Sequence, residues 1–225
     1  TVERALSRGL LDEAPHAAVF YDLDAVDMRI REMQYAFPAG TLHAIAVKAC
    51  PITKLLQRTH DLGCGAEAAT KVELRQALRA GHAPRNVVFD SPAKTVEELR
   101  YALDQGVHVN ADNLQELDRI AELAPPESCP DRSIGVRVNP GLRAGEIAAT
   151  STAVPGSKFG VSLPDDRREL LDRFREYPWL NALHLHVGSQ GGSLDLPVEN
   201  ARAGAGLAGE IDALVELLDE CGYFF

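Results

Sequence analysis

From His43 to Val187, short apolar runs alternate with stretches of helical periodicity, and most runs start roughly 20–25 residues apart. That spacing leaves room for one helical crossover between successive strands. It therefore points to α/β architecture with a parallel sheet. Six β–α units are read, with strands at His43–Cys50, Cys64–Ala69, Asn86–Asp90, Val107–Ala111, Ser133–Val138 and Ala182–Val187. An earlier run, Ala17–Asp22, also reads as a strand and leads into a helix that closes at Pro38 and Gly40. Thr70 with Glu73, and Thr95 with Glu98, carry the spacing of capping boxes. The helix after Thr70 is expected to turn Val72, Ala77 and Leu78 inward, and Asp112 or Asn113 is expected to cap the helix containing Leu117.

No Gly-rich dinucleotide turn follows any of these strands, which favours a (β/α)8 TIM barrel over a doubly wound sheet. Lys48, Glu67, Asp90, Asp112, Arg137 and His186 all fall at or just past strand C-termini. That end of such a barrel is where active sites are built. A closed barrel needs eight strands, so two are expected to be missing, and residues 1–225 read as one incomplete barrel domain of a longer polypeptide. The Gly/Ala/Ser/Thr-rich segment from Asn139 to about Gly160 is too long for an ordinary connection and reads as an active-site loop.

The net charge of −10 argues against a nucleic-acid partner. No apolar run approaches the length of a membrane span. Cys50, Cys64, Cys129 and Cys221 form neither a C-x-x-C pair nor a zinc spacing, so reduced thiols in a cytoplasmic protein are expected.

A lysine at the end of a buried strand is unusual. Lys48 suits one chemistry, a desolvated amine that forms a Schiff base with an aldehyde. The plainer reading is a solvated lysine that has left the core. Asp90 and Asp112 are read as helix caps. Arg137 is read either as an ion-pair partner of Glu67 or as a cofactor ligand. His184 is expected to point away from His186, toward the helices, as a structural histidine. Cys50 is expected to be a small buried thiol.

Taken together, several short motifs resemble one family. They are Ala46-Val47-Lys48-Ala49, Gly63-Cys64-Gly65-Ala66-Glu67, Lys71-Val72-Glu73-Leu74, Val136-Arg137-Val138-Asn139-Pro140, Ser157-Lys158-Phe159-Gly160 and His184-Leu185-His186-Val187-Gly188-Ser189-Gln190. The family is the fold-type III pyridoxal-phosphate decarboxylases, which act on diaminopimelate, ornithine or arginine. The His-Val-Gly-Ser-Gln form is most similar to the diaminopimelate branch. The resemblance implies an alanine racemase-like TIM barrel with pyridoxal 5'-phosphate as cofactor. It makes Lys48 the Schiff-base lysine and stacks His186 on the pyridine ring. Gly188 and Ser189 would hold the phosphate, and Arg137 would lie beneath the ring. Glu67, where the family usually has Asp, would lie near the covalent linkage. Lys158 belongs to a segment that the family places near the subunit interface and the active site.

The implied activity is decarboxylation of an amino acid, with meso-diaminopimelate or a related diamino acid as substrate and Lys48 and His186 as catalytic residues. The implied assembly is a homodimer. An amino-acid racemase or epimerase on the same barrel, a non-catalytic pyridoxal-phosphate-binding protein and a regulatory homologue are the alternatives. Cys50-Pro51 and Glu67 depart from the main diaminopimelate branch.

Overall fold

The computed structural model describes residues 2–11, 18–123, 133–142, 152–186, 188 and 195–220, with side chains of the last helix described through residue 215. The chain divides into two compact units, Thr1–Thr41 and Leu42–Phe225.

The first unit holds two helices, α1 (Val2–Ser7) and α2 (Leu23–Ala36). Asp22 caps α2 by accepting from the Ala25 N–H at 3.0 Å. The strand expected at Ala17–Asp22 is not formed over its described residues, 18–22. Val19 is 77% exposed. Apolar residues alone do not make a strand, which needs a neighbouring ladder to satisfy its backbone, and residues 18–22 belong to no ladder of the described sheet.

The second unit alternates strand and helix as the spacing predicts. In order come β1 (Ala44–Ala46), α3 (Thr53–Asp61), β2 (Gly65–Ala68), α4 (Lys71–Arg79), β3 (Val87–Phe89), α5 (Val96–Gln105), β4 (His108–Ala111) and α6 (Leu114–Leu123). Then follow β5 (Ile134–Asn139), β6 (Val161–Ser162), α7 (Leu163–Glu176), β7 (Leu180–Leu185) and α8 (Asp195–Glu220). All ladders are parallel, and β1 to β5 pair in sequence order. β5 pairs with β7 along its length and with β6 at its end, where Val138 is in register with both Val161 and Leu185. Among the described residues the sheet therefore has seven strands rather than six. The extra one, two residues long inside a loop, carries no alternation that a sequence pattern could register. Among the described residues β1 and β7 are not paired, so the sheet is unclosed.

Alternation along each strand creates two unlike faces. One face carries Ala66, Ala68, Val87, Phe89, Val109, Ala111, Ile134, Val136 and Val138, all nearly or completely buried. They share one core cluster with Leu74 and Ala77 of α4, Leu99 of α5, Leu117 and Ile120 of α6 and Leu170 of α7. Each large apolar side chain removed from water contributes about 1.5–3 kcal/mol. The other face carries Glu67, Val88, His108, Asn110 and Arg137, so its polar residues collect on one side of the sheet.

In α4, Leu74 and Ala77 are fully buried, whereas Val72 is 74% exposed. The inward placement expected for Val72 is thus corrected. Val72 lies two positions from Leu74, about 200° around a helix, so both cannot face the core. The Thr95–Glu98 capping box is complete. Thr70 accepts from the Glu73 N–H, but the Glu73 carboxylate takes the Ala69 N–H at 2.7 Å, one residue upstream of the expected bond. Asn113, not Asp112, caps α6, accepting from the Glu116 N–H at 2.9 Å.

Gly65 opens β2 where two backbones meet. A β-carbon there would overlap the Asn86 carbonyl oxygen and sit 3.2 Å from both δ-carbons of Leu42. A carbonyl in the backbone cannot rotate out of the way. Gly65→Ala is therefore expected to lower stability by about 1–3 kcal/mol, the usual cost of overpacking. The denaturant midpoint of the full chain measures this, and an unchanged midpoint would refute the close approach.

Candidate functional site

β1 stops at Ala46, and the chain enters one 3-10 turn, Val47–Ala49. The strand expected to run to Cys50 is thus shorter. Val47 is fully buried, but the Lys48 side chain is 54% exposed, so the desolvation expected of its amine is not provided by this chain's described residues. Register explains its neighbour. Ala46 pairs with Glu67 on β2, which brings Lys48, two residues on, past the end of the sheet beside that carboxylate. Lys48 Nζ lies 3.6 Å from Glu67 Oε1.

Asp90 follows β3 and prolongs its ladder, its N–H donating to the Ala68 carbonyl at 3.2 Å. Its carboxyl lies 3.5 Å from His184 Nε2 and helps to raise the Glu67 carboxyl. The reading of Asp90 as a helix cap is corrected, since Thr95 caps the next helix.

Arg137 is buried near the end of β5, with Nη1 3.4 Å from Asp112 Oδ1. Of the two readings of Arg137, the ion pair with Glu67 is replaced by this one with Asp112. β5 lies next to β4, and Asp112 comes directly after β4, whereas Glu67 is three strands away. The Phe159 ring lies 5.0 Å from the guanidinium carbon and 5.1 Å from Lys158 Nζ. Gly160, at φ +74°, brings the loop against the arginine. A β-carbon there would be 3.1 Å from Arg137 Cγ. The 139–160 segment thus packs on this face through its described end, and Thr152 donates to the His186 carbonyl at 2.8 Å.

His184 and His186 share a face, with ring centroids 6.3 Å apart. The expected opposition between them is wrong because side chains two residues apart in a strand point the same way. An open cavity of about 570 Å³ is lined by Val88, His108, Asn110, His184, His186 and Gly188, among others. Lys48, Glu67 and Arg137 are not part of its lining. Ser189 lies outside the described residues. Cys50 is a half-buried free thiol.

Burial and charge set the protonation of this cluster. Burial first, then the Asp90 carboxyl, push the Glu67 carboxyl up to about 7 against the pull of Lys48. Burial and then Arg137 push His184 down to about 3. His186 is held below its ordinary range by burial, Arg137 and Lys48. Asp112 is raised by burial, with Arg137 opposing. The signs of the resulting stability terms differ. Glu67 favours the folded state at low pH and loses that contribution as pH rises through about 7. His184, neutral when folded, weakens folding as pH falls from 6.5 toward 3.

The arrangement fits a phosphorylated pyridine aldehyde. Lys48 offers a solvent-reachable primary amine, and His186 offers a flat, uncharged ring. Arg137 is a fixed cation that Asp112 holds in place. Glu67 Oε1 and His184 Nδ1 are buried without a hydrogen-bond partner.

Sequence comparison adds an independent line. The family model described as "Pyridoxal-dependent decarboxylase, pyridoxal binding domain" matches residues 23–212. Diaminopimelate decarboxylase of Pseudomonas fluorescens is 32% identical over 202 residues, covering 86% of this chain and 47% of that protein. The Actinosynnema pretiosum diaminopimelate decarboxylase is 32% identical over 207 residues, covering 90% and 46%. Among solved structures, Helicobacter pylori diaminopimelate decarboxylase complexed with L-lysine superposes with a TM-score of 0.81 at 26% identity, covering 95% of this chain and 54% of that one. The Paramecium bursaria Chlorella virus arginine decarboxylase bound to agmatine, at 24% identity and a TM-score of 0.73, covers 93% and 54% and shares the fold. The chain spans about half the length of these relatives.

Proposed function

The chain belongs to the pyridoxal-dependent decarboxylases, within their pyridoxal-binding domain, and on that basis we propose that it supplies the cofactor-binding half of an amino-acid decarboxylase. The cofactor is pyridoxal 5'-phosphate. The substrate proposed is meso-diaminopimelate or a related diamino acid, because the relatives at 32% identity carry the name diaminopimelate decarboxylase. One observation carries the reading. The Lys48 amine stands at the C-terminal end of β1, beside Glu67 and on the sheet face that also carries Arg137 and His186.

When bound, the cofactor supplies an electron sink for the bond that breaks at the substrate α-carbon. The chain's own residues do the rest. Lys48 would hold the aldehyde through its amine. His186, kept neutral by burial and by Arg137, would face the ring without adding charge. Asp112 orients the Arg137 guanidinium. Glu67 takes or gives a proton beside Lys48. Gly188, with Ser189, would offer donors to the phosphate. The homodimer and the cytoplasmic location are proposed from family kinship; no helix among the described residues is long and apolar enough to cross a membrane.

Borohydride reduction of the full chain with pyridoxal phosphate, followed by peptide mass mapping, tests the reading. A pyridoxyl label on Lys48 and carbon dioxide released from a diamino acid are expected. A label elsewhere, or none in folded protein, overturns it.

A further inference from the structure

Resting on His186 and Arg137 as groups that hold the cofactor, we propose that Thr152 and Phe159 are positioning residues: Thr152 fixes the backbone of His186, and Phe159 fixes the guanidinium of Arg137. Both belong to the segment after β5, and each meets one of the two cofactor-facing residues.

His186 comes directly after β7, one position past the last register pair, Val138–Leu185. Beyond a ladder, a backbone carbonyl needs another donor. The Thr152 hydroxyl supplies it, 2.8 Å from the His186 carbonyl oxygen. That bond fixes the peptide plane after the His186 Cα, and with it the direction in which the ring leaves the chain.

Arg137 is buried, yet its ion pair is long. A well-made N–H···O bond measures about 2.7–3.2 Å, whereas Arg137 Nη1 stands 3.4 Å from Asp112 Oδ1. One slack contact leaves the guanidinium plane free to turn. The Phe159 ring, centred 5.0 Å from the guanidinium carbon, supplies a second restraint, because a cation is drawn to a ring face.

The segment is itself held. Asn139 is 3% exposed and lies two residues after Arg137 on β5. Its Nδ2 donates to the Val154 carbonyl at 2.9 Å, and its Oδ1 accepts from the Gly141 N–H at 2.9 Å. Ala153, next to Thr152, is buried, and the Phe159 N–H donates to the Ser157 hydroxyl at 3.3 Å. Backbone anchored to the strand of Arg137 thus carries both positioning residues. A flat ring and a fixed cation that keep their places bind a phosphorylated pyridine without first being ordered, so Thr152 and Phe159 act on affinity.

The test uses the cofactor-free full chain and four variants. Thr152→Val deletes the hydroxyl at nearly constant shape, and Thr152→Ser restores a donor. Phe159→Leu deletes the ring, and Phe159→Tyr restores it. Absorbance titration gives the dissociation constant for pyridoxal phosphate. Heteronuclear NMR without cofactor follows the His186 ring. Burial, then Arg137 and Lys48, lower His186 while Glu67 raises it, so its titration midpoint reports how close Arg137 stays. The dissociation constant is expected to rise about fivefold in Thr152→Val, the scale of one net hydrogen bond, and about tenfold in Phe159→Leu, the scale of one desolvated cation–π contact. The His186 ring signals are expected to shift in Thr152→Val and to return in Thr152→Ser. The His186 midpoint is expected to rise in Phe159→Leu, as Arg137 turns away, and to return in Phe159→Tyr. Wild-type affinity and His186 signals in both Thr152→Val and Phe159→Leu overturn the proposal, even where pyridoxal phosphate labels Lys48. Equal losses in Thr152→Ser and Phe159→Tyr overturn it too, because they mean disturbed packing rather than a lost donor or ring. Failure of pyridoxal phosphate to label Lys48 overturns the cofactor reading instead, while the His186 signals, read without cofactor, still decide the positioning. Thermal melts confirm folding, and Thr152→Ala or Phe159→Met replaces a variant that does not fold.

Discussion

Lys48→Ala is expected to abolish borohydride-dependent attachment of pyridoxal phosphate to the peptide that carries position 48, and to lower carbon dioxide release by roughly 10²-fold or more, the scale of losing a positioned acid–base group. Lys48→Arg should fail as completely, because guanidinium keeps the charge but is not a nucleophile at neutral pH. The two variants differ in one further respect. Lys48 pulls the Glu67 carboxyl down against burial and Asp90. Alanine removes that pull, so the protonated-carboxyl infrared band of Glu67 should persist to a pH above 7, whereas arginine should hold it near the wild-type position. Stability should barely change in either case, since the side chain is 54% exposed and its ion pair is therefore worth little. A Lys48→Ala protein that still captures the cofactor at full stoichiometry would remove Lys48 from the site.

Lys48, Glu67, Arg137 and His186 were all legible from a simple regularity, a polar side chain at the C-terminal end of an apolar strand. What that regularity cannot provide is pairing. Arg137 reaches Asp112 and not Glu67 because β4 is its neighbour in the sheet, and strand order is a property of the fold, not of the strand. Asp90 carried the same end-of-strand signal as Lys48, yet Asp is so common as a helix cap that the cap reading competed. His184 shows a different failure. The period of two in β7 puts it on the His186 side, so its placement was available from the sequence. The strand expected before α2 failed for a third reason: Val19 and Phe20 look like strand residues, but a strand exists only where a ladder receives it.

Lys94 and Glu116 were invisible for the reason that makes them consequential. Each looked like an ordinary surface charge beside a helix start, yet their side chains are 0% and 2% exposed and meet at 2.8 Å. Lys94 Nζ also donates to the Ser91 carbonyl at 2.5 Å and lies 5.7 Å from the Phe89 ring centre. Glu116 accepts from two backbone donors, the Lys94 N–H at 3.3 Å and the Asp112 N–H at 2.8 Å. Glu116→Ala would therefore leave a buried cation without its counter-charge and two N–H groups without acceptors. The expected loss is about 3–5 kcal/mol, typical of breaking a buried pair from one side. The double variant Lys94→Met/Glu116→Gln removes both charges but returns only one carbonyl acceptor for two donors. It should recover part of the loss and remain about 1–3 kcal/mol below wild type, the cost of the orphaned N–H. Urea midpoints at unchanged slope, arranged as a double-mutant cycle, separate these terms. Because Glu116 fixes the backbone of Asp112 and Asp112 orients Arg137, cofactor affinity should weaken in Glu116→Ala even where the protein remains folded. A loss under about 1 kcal/mol, the range of exposed pairs, would mean that the two charges are solvated after all.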